Sequence, residues 1–208
     1  MPRAAAALAA PPDSRARVFA AAAAEFAARG YAGANVDRIA RAARVNKAMI
    51  YYHYKSKAAL YRAILRDMFD AVGTRVRAVA AAPLAPEEKI RGFVDAIAAE
   101  GEARPHFPPI WLREIAEGGA HVDQATLEYI RYVLQTLGGI LREGQRAGRF
   151  HPANPLLIHA GIVAPLMLFL ATASLRRKLG RGVPEITRDA VVTHIQRITL
   201  AVLEGRIA

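Results

Sequence analysis

The chain has 208 residues, a formal net charge of +11 and 53% apolar content, so it is long enough to bury a real core in one domain or two small ones. Cysteine is absent, which excludes a disulfide framework, thiolate metal sites and a thiol nucleophile. The charge is uneven: residues 1–60 hold ten Lys or Arg against three acids, and the remainder holds nineteen against fifteen. A concentration of positive charge in the first third suits a polyanion partner, although a basic protein with no such partner has the same composition.

Residues 1–12 are Ala- and Pro-rich without the charged start of a secretory signal, and are expected to form a disordered arm. Beyond them nearly every segment has helical periodicity and none alternates as a strand does, so an all-α fold of about nine helices is predicted. Asp13 or Ser14 caps a first helix that runs to Arg29 and is stopped by Gly30, with Val18, Phe19, Ala22 and Phe26 as its apolar stripe. Asn35 caps a second helix carrying Val36, Ile39, Ala40 and Ala43 inward. Asn46 caps a third, with Ile50 and Tyr54 facing in. Ser56 caps a fourth, about 56–81, where Leu60, Ile64, Met68, Val72 and Val76 repeat on one face.

Pro83 and Pro86 then break the chain, and a fifth helix spans about 86–103. The Pro105–Pro109 cluster starts a sixth through Trp111 and Ile115, ended by Gly118-Gly119. A seventh covers about 123–147. An eighth covers about 154–178, with Pro165 expected to kink it near its middle, and a ninth about 186–205. Residues 156–175 carry no formal charge, long enough for a membrane span. His159, the internal Pro165 and the lack of a second span favour a helix buried on both sides.

Residues 35–60 are the most informative. Two short helices are joined by Ala43-Arg44-Val45-Asn46, and the second presents Lys, Tyr and His outward. In a helix-turn-helix one helix crosses the nucleic-acid backbone while the N-terminal residues of the next reach base edges. The run Phe-Ala-Ala-Arg-Gly-Tyr (26–31), Val-Asp-Arg-Ile-Ala-Arg-Ala-Ala (36–43) and Val-Asn-Lys-Ala-Met-Ile-Tyr-Tyr-His-Tyr-Lys-Ser-Lys-Ala-Ala-Leu (45–60) resembles the tetracycline-repressor (TetR) family of bacterial transcriptional regulators over about residues 14–65. The remaining 140 or so residues fit the family by layout only.

The resemblance implies an N-terminal helix-turn-helix DNA-binding domain over 13–60 and a C-terminal helical ligand-binding and dimerisation domain over 61–208. It implies that Lys47, Ala48 and Met49 reach base edges, Lys47 donating to guanine and Ala48 or Met49 touching a thymine methyl. Tyr51, Tyr52 and His53 would meet sugar and phosphate, and Lys57 a phosphate at the N-terminus of the fourth helix. Asn35 and Asn46 would cap their helices and offer an amide to phosphate. Where the family usually has Gly in the turn this chain has Arg44, whose side chain either reaches a phosphate or stays in solvent.

The family pairs its last two long helices across a two-fold axis, which implies a homodimer through the eighth and ninth helices, with Ala160, Gly161 and Ala164 permitting close approach. It also implies an effector pocket between the fourth and eighth helices. Candidate liners are Phe69, Phe93, Ile97, Trp111, Ile115, Tyr129, Tyr132, Val133, Met167 and Phe169, a set favouring a hydrophobic or aromatic small molecule. The expected function is a cytoplasmic, ligand-responsive regulator, a repressor on a palindromic operator, with no cofactor and no metal. The alternative is a helical membrane-associated or protein-interaction module without sequence-specific DNA binding. No phosphate-cradling Gly loop, His-Glu-x-x-His helix or nucleophile elbow is present, and the six His are scattered, so no enzymatic activity is expected.

Overall fold

The computed structural model describes residues 13–180 and 184–207; the expected N-terminal arm lies outside these. The described residues form ten α-helices and no strand. They group into two compact units, one ending at Tyr61 and one beginning at Arg62.

The first unit contains α1 (Ser14–Gly33), α2 (Val36–Ala43), α3 (Lys47–Tyr54) and the first turn of α4 (Lys57–Ala81). Asp13 caps α1 by accepting the Ala16 N–H at 2.7 Å. Gly30 interrupts α1 with φ 69° and ψ 177°, a backbone state open almost only to glycine, and one more turn follows to Gly33. Asn35 caps α2 and Asn46 caps α3, each accepting the N–H two residues on at 2.7 and 2.9 Å. Ser56 caps α4 by accepting the Ala59 N–H, three residues on, at 3.0 Å. Val18, Ala22, Phe26, Ile39, Ile50, Tyr54 and Leu60 close the core. Phe26, Tyr31 and Tyr61 meet edge to face or stacked beside it.

Glu25 ties α1 to α2. It accepts from Arg38 at 2.7 Å and from the Asn35 N–H at 3.1 Å, and pairs with Arg29 at 3.6 Å. Burial works to raise its pKa, but these donors outweigh it and hold the carboxyl below its ordinary value.

The second unit comprises the rest of α4, α5 (Pro86–Ala103), α6 (Phe107–Ala116), α7 (Gln124–Arg146), α8 (Pro155–Ala171), α9 (Ala173–Leu179) and α10 (Arg188–Leu203). α5 packs on α7, α8 and α10, and α8 also on α6, α7 and α10. Ile64, Leu65, Ile90, Phe93, Ile110, Leu137, Ile140 and Leu141 are its fully buried bulk. The buried ions are paired: Lys89 bonds both carboxylate oxygens of Glu143 at 2.8 and 2.9 Å, and Glu100 sits between Arg75 and Arg104.

One element differs from expectation. The eighth predicted helix is two helices, bent by 61° at Thr172, whereas the helix runs on through Pro165. Thr172 Oγ1 donates to the Leu168 carbonyl at 2.6 Å, and Arg176 donates to Thr172 Oγ1 and the Phe169 carbonyl. The Leu168 carbonyl keeps the Thr172 N–H at 3.1 Å as well, whereas the Phe169 carbonyl, which a continuing helix would bond to the Ala173 N–H, accepts Arg176 instead. No single helix among the described residues is long and apolar enough to cross a membrane; the bent α8–α9 pair passes on length and composition alone.

Candidate nucleic-acid interface and internal cavity

α2, a three-residue turn and α3 form the helix-turn-helix. Arg44 ends α2 in the left-handed conformation (φ 55°, ψ 47°), and the N–H groups of Arg44 and Val45 close back on Arg41 and Ala40 at 3.2 and 3.0 Å. Val45 is half-buried in the turn, while the Arg44 side chain is exposed.

Ile50 and Tyr54 bury one side of α3; Lys47, Ala48, Tyr51 and Tyr52 are exposed, with Met49 and His53 half-buried at the flanks. At about 100° per residue the exposed four fall within one continuous arc of the helix. Tyr52 is 71% exposed, with its ring and hydroxyl open to solvent. All ten residues expected at DNA belong to the first unit, at α2's cap, in the turn, on α3 or in the first turn of α4.

Four contacts to these residues escaped the sequence reading. Lys47 Nζ lies 2.9 and 3.1 Å from the two oxygens of Asp37 on α2, and that bond holds the ammonium pKa above its ordinary value. His53 Nε2 and Ser14 Oγ share a hydrogen bond of 2.9 Å, so one ring nitrogen is engaged with the start of α1. Lys57 Nζ sits 4.6 Å from the centre of the Tyr31 ring. Lys55, just after α3, has φ 65° and reaches the Tyr52 carbonyl at 3.4 Å. Each depends on a residue far away in the chain or on a backbone state, and no local spacing announces it.

The second unit holds an apolar cavity of about 50 Å³ bounded by α4, α5, α6, α7 and α8. Of the expected liners, Phe69, Ile97, Trp111, Val133 and Met167 border it. Phe69 meets Phe107 and Trp111 edge to face, at 5.8 and 4.8 Å between centres. Val72, Phe107, Ile130, His159 and Val163 border it too, and were not foreseen.

Five expected liners do not border it. Phe93 is core on every side. Ile115 is 55% exposed, because α6 buries Phe107, Ile110 and Glu114 and Ile115 lies off that face. Tyr129 and Tyr132 border a separate, wetter groove with Asp70, Arg77 and Glu128, where Arg77 donates to the Tyr132 hydroxyl at 2.8 Å. They stand one position before Ile130 and Val133, which turns them about 100° away from the cavity. Phe169 lies instead beneath the Arg176 guanidinium, 3.8 Å from it.

Burial lowers the pKa of His159, so its imidazole stays uncharged at neutral pH. Glu114, Glu117 and His121 also gather with potential ligand atoms within 4.8 Å of one another. Glu114 is fully buried, and its oxygens accept the His121 N–H at 2.6 Å and contact His121 Nδ1 at 3.2 Å. That arrangement serves as a loop clasp after α6, with both carboxylate oxygens already occupied.

Comparison with known proteins agrees with this geometry. Residues 18–64 match the family model for bacterial regulatory proteins of the tetR family, and residues 86–182 match the tetracyclin repressor-like C-terminal domain. The HTH-type transcriptional repressor SCO4008 of Streptomyces coelicolor is 33% identical over 167 residues, covering 78% of this chain and 77% of its own. The ketosteroid transcriptional regulator KstR2 of Mycobacterium tuberculosis superposes with a TM-score of 0.73 at 20% identity, over 94% of this chain and 97% of that one. The fatty acid degradation regulator FadR of Bacillus halodurans superposes with a TM-score of 0.71 at 19% identity, over 92% and 96%. An exposed α3 behind a left-handed turn, an all-helical second unit, and matches to both halves have one reading: the chain belongs to the TetR family of transcriptional regulators.

Proposed function

We propose that the protein is a homodimeric repressor that holds a palindromic operator with two copies of α3 and lets go when a small, mainly apolar molecule enters the cavity of the second unit. The observation that carries the DNA part is the exposed arc of Lys47, Ala48, Tyr51 and Tyr52 on α3. Lys47 and Ala48 stand at the helix start and read base edges, with Met49 beside them; Tyr51, Tyr52, His53 and Lys57 hold sugar and phosphate. Asn35, Arg44 and Asn46 flank them at the two caps and the turn. One α3 reads only a few base pairs, so specificity requires a second copy at a half-site about 34–36 Å away.

The dimer face is the outer side of α8 with α10. Leu157, Gly161, Ala164 and Leu168 recur on one exposed face of α8 while Ile158, Ile162, Leu166 and Met167 bury the other. Ile198 and Val202 are exposed on α10. Leu157 at 71% exposure and Leu168 at 60% are apolar area that a second copy would cover. An effector acts through α4, one helix from Lys57 in the first unit to Phe69 and Val72 at the cavity. It shifts the equilibrium only by its difference in affinity for the operator-bound and released states. Acting on the chromosome places the protein in the cytoplasm.

Selection of genomic fragments by the purified protein tests this reading. An inverted repeat should emerge, bound with strong salt dependence. Lys57→Ala should weaken all sequences and flatten the salt slope by about one unit, while Lys47→Ala relaxes preference at particular bases. Unaltered DNA affinity in both variants would sink the docking.

A further inference from the structure

The cavity combines two properties that bear on what it can hold. No side chain bordering it carries a formal charge, and α8 contributes none anywhere between Pro155 and Ala171. Its polar side chains are His159 and the indole of Trp111. Among the described residues no hydrogen bond or ion pair reaches the His159 imidazole. Phe69, Phe107 and Trp111 supply the aromatic wall, and His159, Val163 and Met167 form the α8 side at spacings of four residues.

We infer that the cavity selects an uncharged single-ring molecule bearing one hydrogen-bonding oxygen, a phenol or its equivalent, with that oxygen bonded to a ring nitrogen of His159. The inference rests on the effector reading above and narrows it to a chemical class. A carboxylate or ammonium entering this space loses its hydration and meets no counter-charge, a cost no bordering residue offsets. A plain hydrocarbon covers the half-buried imidazole without bonding it, and a polar group left unpaired when it is covered costs more than the pairing itself gains. Partial burial holds His159 in its neutral form, with one ring nitrogen as acceptor and one as donor, which suits a hydroxyl. The open space is about 50 Å³, below the about 150 Å³ of a cavity that takes up benzene, so one ring is the upper limit and enters as the flexible Met167 side chain shifts.

Titration calorimetry of the full chain with three matched probes tests this: 4-ethylphenol, ethylbenzene and 4-ethylbenzoate at pH 7.5. The phenol should bind about ten-fold tighter than ethylbenzene, about one buried neutral hydrogen bond, and at least about ten-fold tighter than the benzoate. His159→Phe should bring phenol and hydrocarbon within about two-fold of each other. Val163→Phe, which fills the space, should abolish phenol binding while thermal unfolding verifies the fold. The inference is overturned if the benzoate binds as tightly as the phenol, if His159→Phe keeps the phenol preference, if Val163→Phe leaves binding intact, or if none of the probes binds up to its solubility. Operator release is read separately. A phenol that binds with the stated preference yet leaves the operator bound supports the cavity chemistry and overturns the effector reading.

Discussion

Arg44 offers a clean separation of folding from DNA contact. It holds φ 55° and ψ 47° at the end of α2, while its side chain is exposed. The left-handed state costs a residue with a Cβ about 1–2 kcal/mol. Arg44→Gly removes that cost but gives the unfolded chain more freedom, which takes back about 0.5–1 kcal/mol. The net expectation is stabilisation by about 0–1.5 kcal/mol, or up to about 6 °C in Tm for a chain of this length unfolding as one. Arg44→Ala is the control, because it deletes the same charge and keeps the strained backbone. Paired thermal and urea unfolding of the two variants measures the difference. If Arg44→Gly is no more stable than Arg44→Ala, the turn carries no strain and the argument fails. Operator titration of the same pair answers the other question. A loss shared by both variants, with a salt slope about one unit shallower, places the guanidinium on a phosphate; unchanged affinity leaves it in solvent.

Three further outcomes follow from particular residues. Gly30→Ala puts a Cβ at φ 69° and ψ 177° and should destabilise the first unit by about 1–3 kcal/mol in urea unfolding; a neutral result would show that the break in α1 shifts freely. His159 titrates lower in the folded chain than its ordinary value, so the unfolded chain binds more protons as pH falls from about 6.5; stability should drop across that window and His159→Phe should flatten the drop. Leu157→Glu with Leu168→Glu should convert dimer to monomer in sedimentation and lower operator affinity without disturbing helicity; a dimer that survives the pair would move the interface off α8.

The helices were legible because their signals are local. Asp13, Asn35, Asn46 and Asp123 each cap the helix that follows, and the bond involved spans two or three residues. The turn itself was foreseen from the short spacing of α2 and α3, and the resemblance, with Gly usual where Arg44 stands, marked the position that proves left-handed. The break at Thr172 was not, because it depends on Arg176 reaching back to the Phe169 carbonyl rather than on a helix-breaking residue. Pro165, which does look like a breaker, sits inside α8.

For this protein, then, composition, periodicity and capping residues determined an all-helical chain with α2 and α3 placed as a helix-turn-helix, because those features act over a few residues. Tertiary packing alone decided that Ile130 and Val133 rather than Tyr129 and Tyr132 border the cavity, and that Asp37 holds Lys47. It also brought His159 to an otherwise apolar space. A rotation of about 100°, one residue on a helix, separates those outcomes, and it is set by which neighbouring helix each face meets.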